Sequence, residues 1–117
     1  MTTTSKGRAG EDLAVLHLER VGYVIVGRNV RAGGGEIDVV ARDGEVLCFV
    51  EVRRRKRTDD ALSSVNERKQ ARVAKAAAAF LIRHVAAGAP LPMCRFDVVA
   101  IAGDRVDLVR NAFQATE

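Results

Sequence analysis

Two strand-like segments in the middle of the chain carry acidic side chains followed by a cation. Asp38 lies in the first segment, and Glu51 lies in the second, with Arg53 two residues further on. Carboxylates are the hard oxygen ligands that Mg²⁺ or Mn²⁺ prefers. A metal ion held between them could polarise a phosphodiester and activate a water molecule, and a nearby cation could stabilise the developing charge. These residue types therefore fit metal-assisted hydrolysis, although so short a pattern also occurs by chance.

The two segments form a predicted β-hairpin whose turn is Asp43-Gly44. Asp-Gly favours a type I′ turn, in which both central residues have positive φ. This turn predicts that Asp38 pairs with Phe49 and that Glu36 pairs with Glu51. Because side chains alternate between the faces of a strand, four polar residues would share one face: Glu36, Asp38, Glu51 and Arg53.

Carboxylates that face each other across a hairpin destabilise it, because like charges lie directly opposite. A bound cation is the usual compensation, and it would make this face a metal site. The alternative is that Glu36 and Glu51 are strand-end residues that fray into solvent. The pattern alone leaves both interpretations open.

A run of five cations follows the hairpin at residues 53–57, in a chain with 19 Lys and Arg, 15 Asp and Glu and a net charge of +4. Such a cluster favours a polyanionic partner, and nucleic acid, above all DNA, is the natural one. The alternative is a solvated loop, which is where charge runs are usually found. The position of the run beside the acids favours the functional interpretation. The residues concerned are Arg54, Arg55, Lys56 and Arg57, which we predict to bind nucleic acid.

The length of 117 residues predicts a single domain, spanning 1–117, with a core of its own. Residues 1–8 are polar and unlike a secretory signal, and no apolar run approaches the ~20 residues of a membrane span. We therefore expect a cytoplasmic protein without a membrane contact. Cys48 and Cys94 lie in apolar, strand-like stretches without metal-ligand spacing, which predicts buried free thiols.

Hydrophobic periodicity and breakers predict the order α-β-β-β-α-β-β, an α/β fold with one mixed sheet flanked by helices. Glu11 and Asp12 fall in the first turn of the first predicted helix, where the helix dipole favours negative charge. A polar loop is expected between the hairpin and the long second helix, for which Ser63, Ser64 and Asn66 are candidate caps. The predicted helices span about 8–21 and 65–86, and strands outside the hairpin start near residues 23, 94 and 105.

Sequence motifs spread along the chain resemble those of the YraN-like uncharacterised bacterial family. The matching segments are Gly10-Glu11, Gly22-Tyr23, Arg28-Asn29, Gly35-Glu36-Ile37-Asp38, Phe49-Val50-Glu51-Val52, Lys69, Arg95-Phe96-Asp97-Val98-Val99 and Asn111-Ala112-Phe113. That family is similar to the Holliday-junction resolvases of the PD-(D/E)xK superfamily. The resemblance implies a restriction-endonuclease-like core and a nuclease-type site with Asp38 and Glu51 as ligands. It adds Glu11, on the first predicted helix, as a third acid that reaches the metal. Glu36 is expected to assist from the shared strand face, and Lys69 is predicted to contact nucleic acid.

One departure from the family pattern bears on catalysis. The pattern Glu-Val-Lys-x-Arg is replaced here by Glu51-Val52-Arg53-Arg54-Arg55. Arg53 keeps the positive charge but cannot act as a general base, because a guanidinium does not lose its proton in proteins. Activity would survive if the lysine acts only electrostatically, and would be lost if it transfers a proton.

Three hypotheses follow for the function. The first is a Mg²⁺- or Mn²⁺-dependent endonuclease acting on DNA, including branched or structured DNA, through Asp38, Glu51, Arg53, Glu11 and Glu36. The second is a catalytically inactive nucleic-acid-binding module of the same fold. The third is a scaffold or dimerisation partner, and a homodimer also suits the first hypothesis because a symmetric junction needs two cuts.

Overall fold

A five-stranded sheet with helices on both faces forms the protein. The computed structural model describes the backbone of residues 2–115 and the side chains of residues 9–115. The elements in chain order are α1 (Thr2–Arg20), β1 (Val24–Ala32), β2 (Gly35–Asp43), β3 (Val46–Arg54), α2 (Thr58–Ser63), α3 (Glu67–His84), β4 (Cys94–Ala102) and β5 (Arg105–Phe113).

The strands lie in the sheet in their chain order, β1-β2-β3-β4-β5. All neighbours are antiparallel except β3 and β4, which are parallel. Parallel neighbours need a crossover connection, and α2 and α3 supply it. The predicted mixed α/β architecture is confirmed, and it is compatible with a restriction-endonuclease-like core.

Two apolar layers join the sheet to its helices. Ala14 and Leu18 of α1 are fully buried against one face, together with Val39 and Val50. The other face packs against α3 through a second cluster, and β4 and β5 contribute a third one near α2. The residues buried in the second cluster are Ala32, Ile37, Val40, Phe49, Ala76, Ala77 and Phe80. The β2-β3 hairpin is therefore covered on both sides, which holds its polar end firmly in place.

The short helix α2 occupies part of the segment predicted to be a loop. Its Asp59 and Asp60 lie in the first turn, where they interact favourably with the helix dipole. Its Ala61 is fully buried. Six residues are too few to show a helical hydrophobic pattern, so periodicity could not predict this helix. Packing of Ala61 against the rest of the fold stabilises it.

The first helix begins at Thr2, earlier than the predicted start near Arg8. Glu11 and Asp12 therefore lie in the middle of α1, and their assignment to its first turn was wrong. Their charges are instead used in contacts with β1, described below. The second long helix, α3, agrees more closely with its prediction because Asn66, one of the expected caps, accepts a hydrogen bond from the Lys69 backbone N–H at 3.0 Å.

The hairpin register differs from the prediction by two residues. The turn consists of Gly44 and Glu45, and Val40 pairs with Phe49 where Asp38 had been expected. Gly44 has a φ of 61°, whereas Glu45 is not among the residues with positive φ. This is the pattern of a type II′ turn, with glycine first, and not of the type I′ turn expected. Because the shift is an even number of residues, it leaves the face of each side chain unchanged.

The two cysteines differ in environment. Cys48 is buried in the sheet, but Cys94 is exposed at the start of β4, so the prediction of two buried thiols was wrong for Cys94. The residue lies at the end of a strand, where alternation no longer determines burial. Among the described residues, no helix combines the length and apolarity needed to cross a bilayer.

Candidate active site

A polar recess of about 260 Å³ lies where α1, β2, β3 and α3 meet. It brings together acids and cations that are far apart in the sequence. We call it the acidic pocket, and its lining residues are Gly10, Glu11, Asp38, Glu51, Val52, Arg53, Arg54, Arg55 and Lys69.

The position of Asp38 follows from the end of the β2-β3 pairing. The pairing ends with Val39 and Val50, and the same register continued by one step places Asp38 opposite Glu51. At this point the backbone N–H of Val52 donates to Oδ2 of Asp38 at 2.8 Å. A side-chain carboxylate thus replaces the carbonyl that the ladder would use, and this bond fixes Asp38 at the rim of the pocket.

Glu51 is the most deeply buried acid of the pocket, with 1% of its surface exposed. Its Oε2 has no hydrogen-bond partner among the described residues, although the Lys69 ammonium lies 3.3 Å away. Burial, a hydrogen bond to Asp38 and the charge of Asp38 raise the pKa of Glu51 to about 8, against the opposing effect of Lys69 and Arg53. A buried carboxylate with an oxygen that lacks a hydrogen bond is costly, and the neighbouring Lys69 ammonium offsets part of this cost.

Glu11 reaches the pocket from α1 and is held there by β1. The Asn29 side-chain amide donates to Glu11 at 2.8 Å. Arg28 lies 3.7 Å from Glu11 and forms a shorter ion pair, 2.6 Å, with Asp12. Burial raises the pKa of Glu11, and the nearby charge of Asp38 adds to this effect. The segment Arg28-Asn29 therefore serves to orient an acid on a different element.

The cations divide into those that line the pocket and those beyond it. Arg53 is half-buried, and its Nε has no hydrogen-bond partner among the described residues. Arg54 and Arg55 line the same wall. Lys56 and Arg57 are exposed between β3 and α2 and do not line the pocket. The five cations are thus divided near the end of β3: Arg53, Arg54 and Arg55 line the pocket, and the last two lie beyond it.

Glu36, predicted to share the face of Asp38, does not line the acidic pocket. Its carboxylate lies 3.5 Å from Nε of Arg31, and it faces a neighbouring recess formed with the glycine turn Gly33–Gly35. Ile37 packs in the same cluster as Val40, three residues further on, although strict alternation would place the two on opposite faces.

The donor set suits a divalent hard cation. Among the described residues, no group of three or more His, Cys, Asp or Glu side chains is arranged to hold a metal ion. Mg²⁺, however, is commonly bound through one or two carboxylates together with water and substrate phosphate. Asp38 and Glu51 provide such a pair, and the unsatisfied Oε2 of Glu51 is the observation that favours it.

A second buried polar network was not predicted as such. Asp97 is fully buried and accepts hydrogen bonds from Tyr23 at 2.7 Å and from Arg95 at 2.9 Å. The Asn111 backbone N–H donates to it at 2.9 Å, and Arg95 also bonds Asp43. Although burial opposes this, these hydrogen bonds lower the pKa of Asp97. The sequence signal for this network was an Asp inside an apolar strand. Because its carboxylate already accepts hydrogen bonds from three residues, we assign Asp97 a structural role.

Comparison with known proteins identifies related sequences over nearly the whole chain. The model of a family described as "Uncharacterised protein family UPF0102" matches residues 10–101. A UPF0102 protein of Dechloromonas aromatica (strain RCB) is 45% identical over 118 residues, which cover 99% of this chain and 94% of the relative. A UPF0102 protein of Ralstonia pickettii (strain 12J) is 46% identical over an alignment that covers 95% of this chain and 91% of the relative. One from Yersinia pseudotuberculosis serotype O:1b is 44% identical, covering 97% of each.

Proposed function

The chain belongs to the uncharacterised protein family UPF0102, and we propose that it is a Mg²⁺-dependent endonuclease of DNA. The observation that carries the proposal is the buried Glu51, whose unsatisfied oxygen lies beside Asp38 in a pocket edged by cations. The resemblance to Holliday-junction resolvases favours branched or structured DNA as the substrate. Such a substrate would be met in the cytoplasm.

Asp38 and Glu51 are the residues that would hold the metal ion. A divalent ion held there would lower the pKa of a bound water and polarise a phosphodiester. The Val52 N–H keeps Asp38 oriented toward the pocket. Glu11, held by Asn29, is the third acid within reach and would orient a water molecule through its carboxylate.

Lys69 supplies the ammonium that strand β3 lacks. Arg53 occupies the strand position where the family pattern has lysine, and its guanidinium can stabilise negative charge but cannot accept a proton. Lys69 has only 30% of its side chain exposed, and its ammonium lies 3.3 Å from Oε2 of Glu51. The pocket thus contains two cations, on different elements, that can stabilise negative charge.

The test is cleavage of linear, flapped and four-way DNA in the presence of Mg²⁺ or Mn²⁺. We expect cutting of at least one structured substrate, and we expect Asp38→Ala to abolish it. Calorimetric titration of Mn²⁺ into wild type and Asp38→Asn checks the ion site separately. Absence of cutting for every substrate, together with identical metal titrations for the two proteins, would refute the proposal.

A nucleic-acid-binding module without catalysis is the second candidate, and Arg53 in place of lysine is the observation that favours it. The effect of Glu51→Ala on cleavage, with binding measured in the absence of metal, separates the two functions. The binding module tolerates Glu51→Ala in all assays, whereas the nuclease keeps binding and loses cleavage. A homodimer suits the nuclease because a four-way junction is symmetric, and sedimentation in an analytical ultracentrifuge measures its formation directly.

A further inference from the structure

A second recess, of about 600 Å³, adjoins the acidic pocket on the side of α3. Its wall combines helix cations with an exposed glycine turn. We call it the α3 basic surface, and its lining residues are Gly33, Gly34, Gly35, Glu36, Lys69, Arg72 and Lys75. Lys69 lines both recesses, so the two form one continuous surface.

Two cations of this surface lack partners. Arg72 and Lys75 are exposed, and neither forms an ion pair with any side chain at residues 9–115. Within that same range, Glu36 is the one acid that lines the surface, and it already pairs with Arg31. The charge of the surface is therefore positive and available to an anion.

The glycine turn lies directly on the backbone of α3. A Cβ added at Gly33 would come within 2.9 Å of the Ala79 Cβ and 3.3 Å of the Lys75 carbonyl oxygen. One added at Gly35 would lie 3.3 Å from the Arg72 carbonyl oxygen. Only glycine fits such a close approach, and φ of 57° at Gly33 adds to the requirement. This close packing on α3 accounts for the glycines and holds the turn beside Arg72 and Lys75.

We propose that the α3 basic surface binds the phosphate backbone of the nucleic acid that enters the acidic pocket. This inference rests on the proposed function, and it identifies the path of the strand, which leaves the pocket past Lys69 and follows α3. From Lys69 to Lys75 the helix rises about 9 Å, close to the axial rise of about three phosphate steps of a duplex strand. Contacts of this kind are independent of base sequence.

The experiment measures binding of a four-way DNA junction by fluorescence anisotropy at several salt concentrations, without metal so that no cleavage occurs. The variants are Arg72→Gln, Lys75→Gln and their combination. Arg20→Gln is the matched control, because Arg20 is an exposed cation in the last turn of α1, on the opposite face of the sheet. Thermal melting of each variant verifies folding.

Removal of one phosphate contact should reduce the slope of log K against log salt by about 0.9. We expect a reduction of about 1.8 for the combined variant, from two such contacts, and no change for Arg20→Gln. An unchanged slope for the combined variant would overturn the inference and assign these cations to a different polyanion or to solvent. If wild type cleaves DNA in that case, the proposed function is still supported. Failure of this inference and failure of the proposed function are therefore distinguishable.

Discussion

The ammonium of Lys69 lies 3.3 Å from Oε2 of Glu51, although the two residues are on different elements and 18 positions apart. Asn66 caps α3 three residues before Lys69 and accepts its backbone N–H. The cap therefore fixes where α3 begins, and with it the direction of the Lys69 side chain. Helix α3 thus supplies an ammonium to Glu51, whereas strand β3 by itself would supply only the guanidinium of Arg53.

Removal of the Lys69 charge is expected to reduce cleavage strongly. Lys69→Met should lower kcat by about 10²-fold, as loss of one group that stabilises transition-state charge does in other enzymes. Lys69→Arg keeps the charge but replaces the compact ammonium with a larger, planar guanidinium, and should recover part of the loss. Single-turnover cleavage of structured DNA measures both.

Arg20→Met removes a positive charge far from the pocket and controls for a general effect of charge. Equal cleavage rates for wild type and Lys69→Met at saturating DNA would show that Lys69 takes no part in the chemical step. Full recovery by Lys69→Arg would show that the residue acts only through its charge.

The metal-free protein should become more stable when Glu51 is replaced by Gln at high pH. The raised pKa of about 8 means that the folded protein keeps a proton that the unfolded chain releases above about 4.5. Stability therefore falls as pH rises from 4.5 to 8, and Glu51→Gln removes this fall. The gain above the folded pKa is on the order of 4 kcal/mol.

Urea unfolding in EDTA at about pH 5 and about pH 9, on either side of the folded pKa, measures this difference. Glu45→Gln, a change of an exposed carboxylate in the hairpin turn, reports the general effect of removing one negative charge. A Glu51→Gln variant whose advantage over wild type is the same at both pH values would contradict the environment described for Glu51.

Asn29 is a positioning residue for Glu11, and Asn29→Gly is expected to reduce cleavage about fivefold. Loss of one hydrogen bond is worth ~1 kcal/mol, which corresponds to that factor. Glycine tolerates the left-handed backbone, which has a φ of 51° at this position. Asn29→Ala removes the same bond and adds strain of about 1 kcal/mol, visible in the melting temperature.

Cleavage by the double variant Glu11→Gln/Asn29→Gly distinguishes positioning from a structural role. If Asn29 acts through Glu11, its replacement has no further effect on cleavage once Glu11 is changed. An undiminished effect of Asn29→Gly in that background would show that the residue acts elsewhere.

Asp97→Asn should destabilise the fold by about 3 kcal/mol at neutral pH, because it leaves the partly buried Arg95 with one charged partner fewer. The pKa of Asp97 is lowered from its ordinary value of 3.8 in the folded protein. Its contribution is therefore present above that value and is lost as pH falls through the folded pKa. Guanidinium unfolding of both proteins at neutral pH and below about pH 4 should show the difference shrinking in acid.

Tyr23→Phe is the matched change in the same network, since it removes the hydrogen bond to Asp97 and the one accepted from Arg95, and no charge. It should cost about 2 kcal/mol, from two hydrogen bonds. A difference between Asp97→Asn and wild type that grows in acid would refute this account.

Much of the fold was readable from local chemistry. The alternation of β-branched residues with polar ones located the strands of the hairpin, and the Asn66 cap marked the start of α3. The helix α2 was missed because a single buried Ala61 stabilises it. The register of the hairpin was missed because Asp-Gly is compatible with glycine at either central position of its turn.

Residue types and the strand period were enough to identify the candidate acids, since Asp38 and Glu51 carry their chemistry in their side chains and alternation puts them on one face. Which other residues join them depends on how the elements pack. Glu11 and Lys69 line the pocket because α1 and α3 dock on the sheet, whereas Glu36 lies outside its lining. Contacts between distant elements leave no periodic signal in a chain, so the folded arrangement was needed to reveal them.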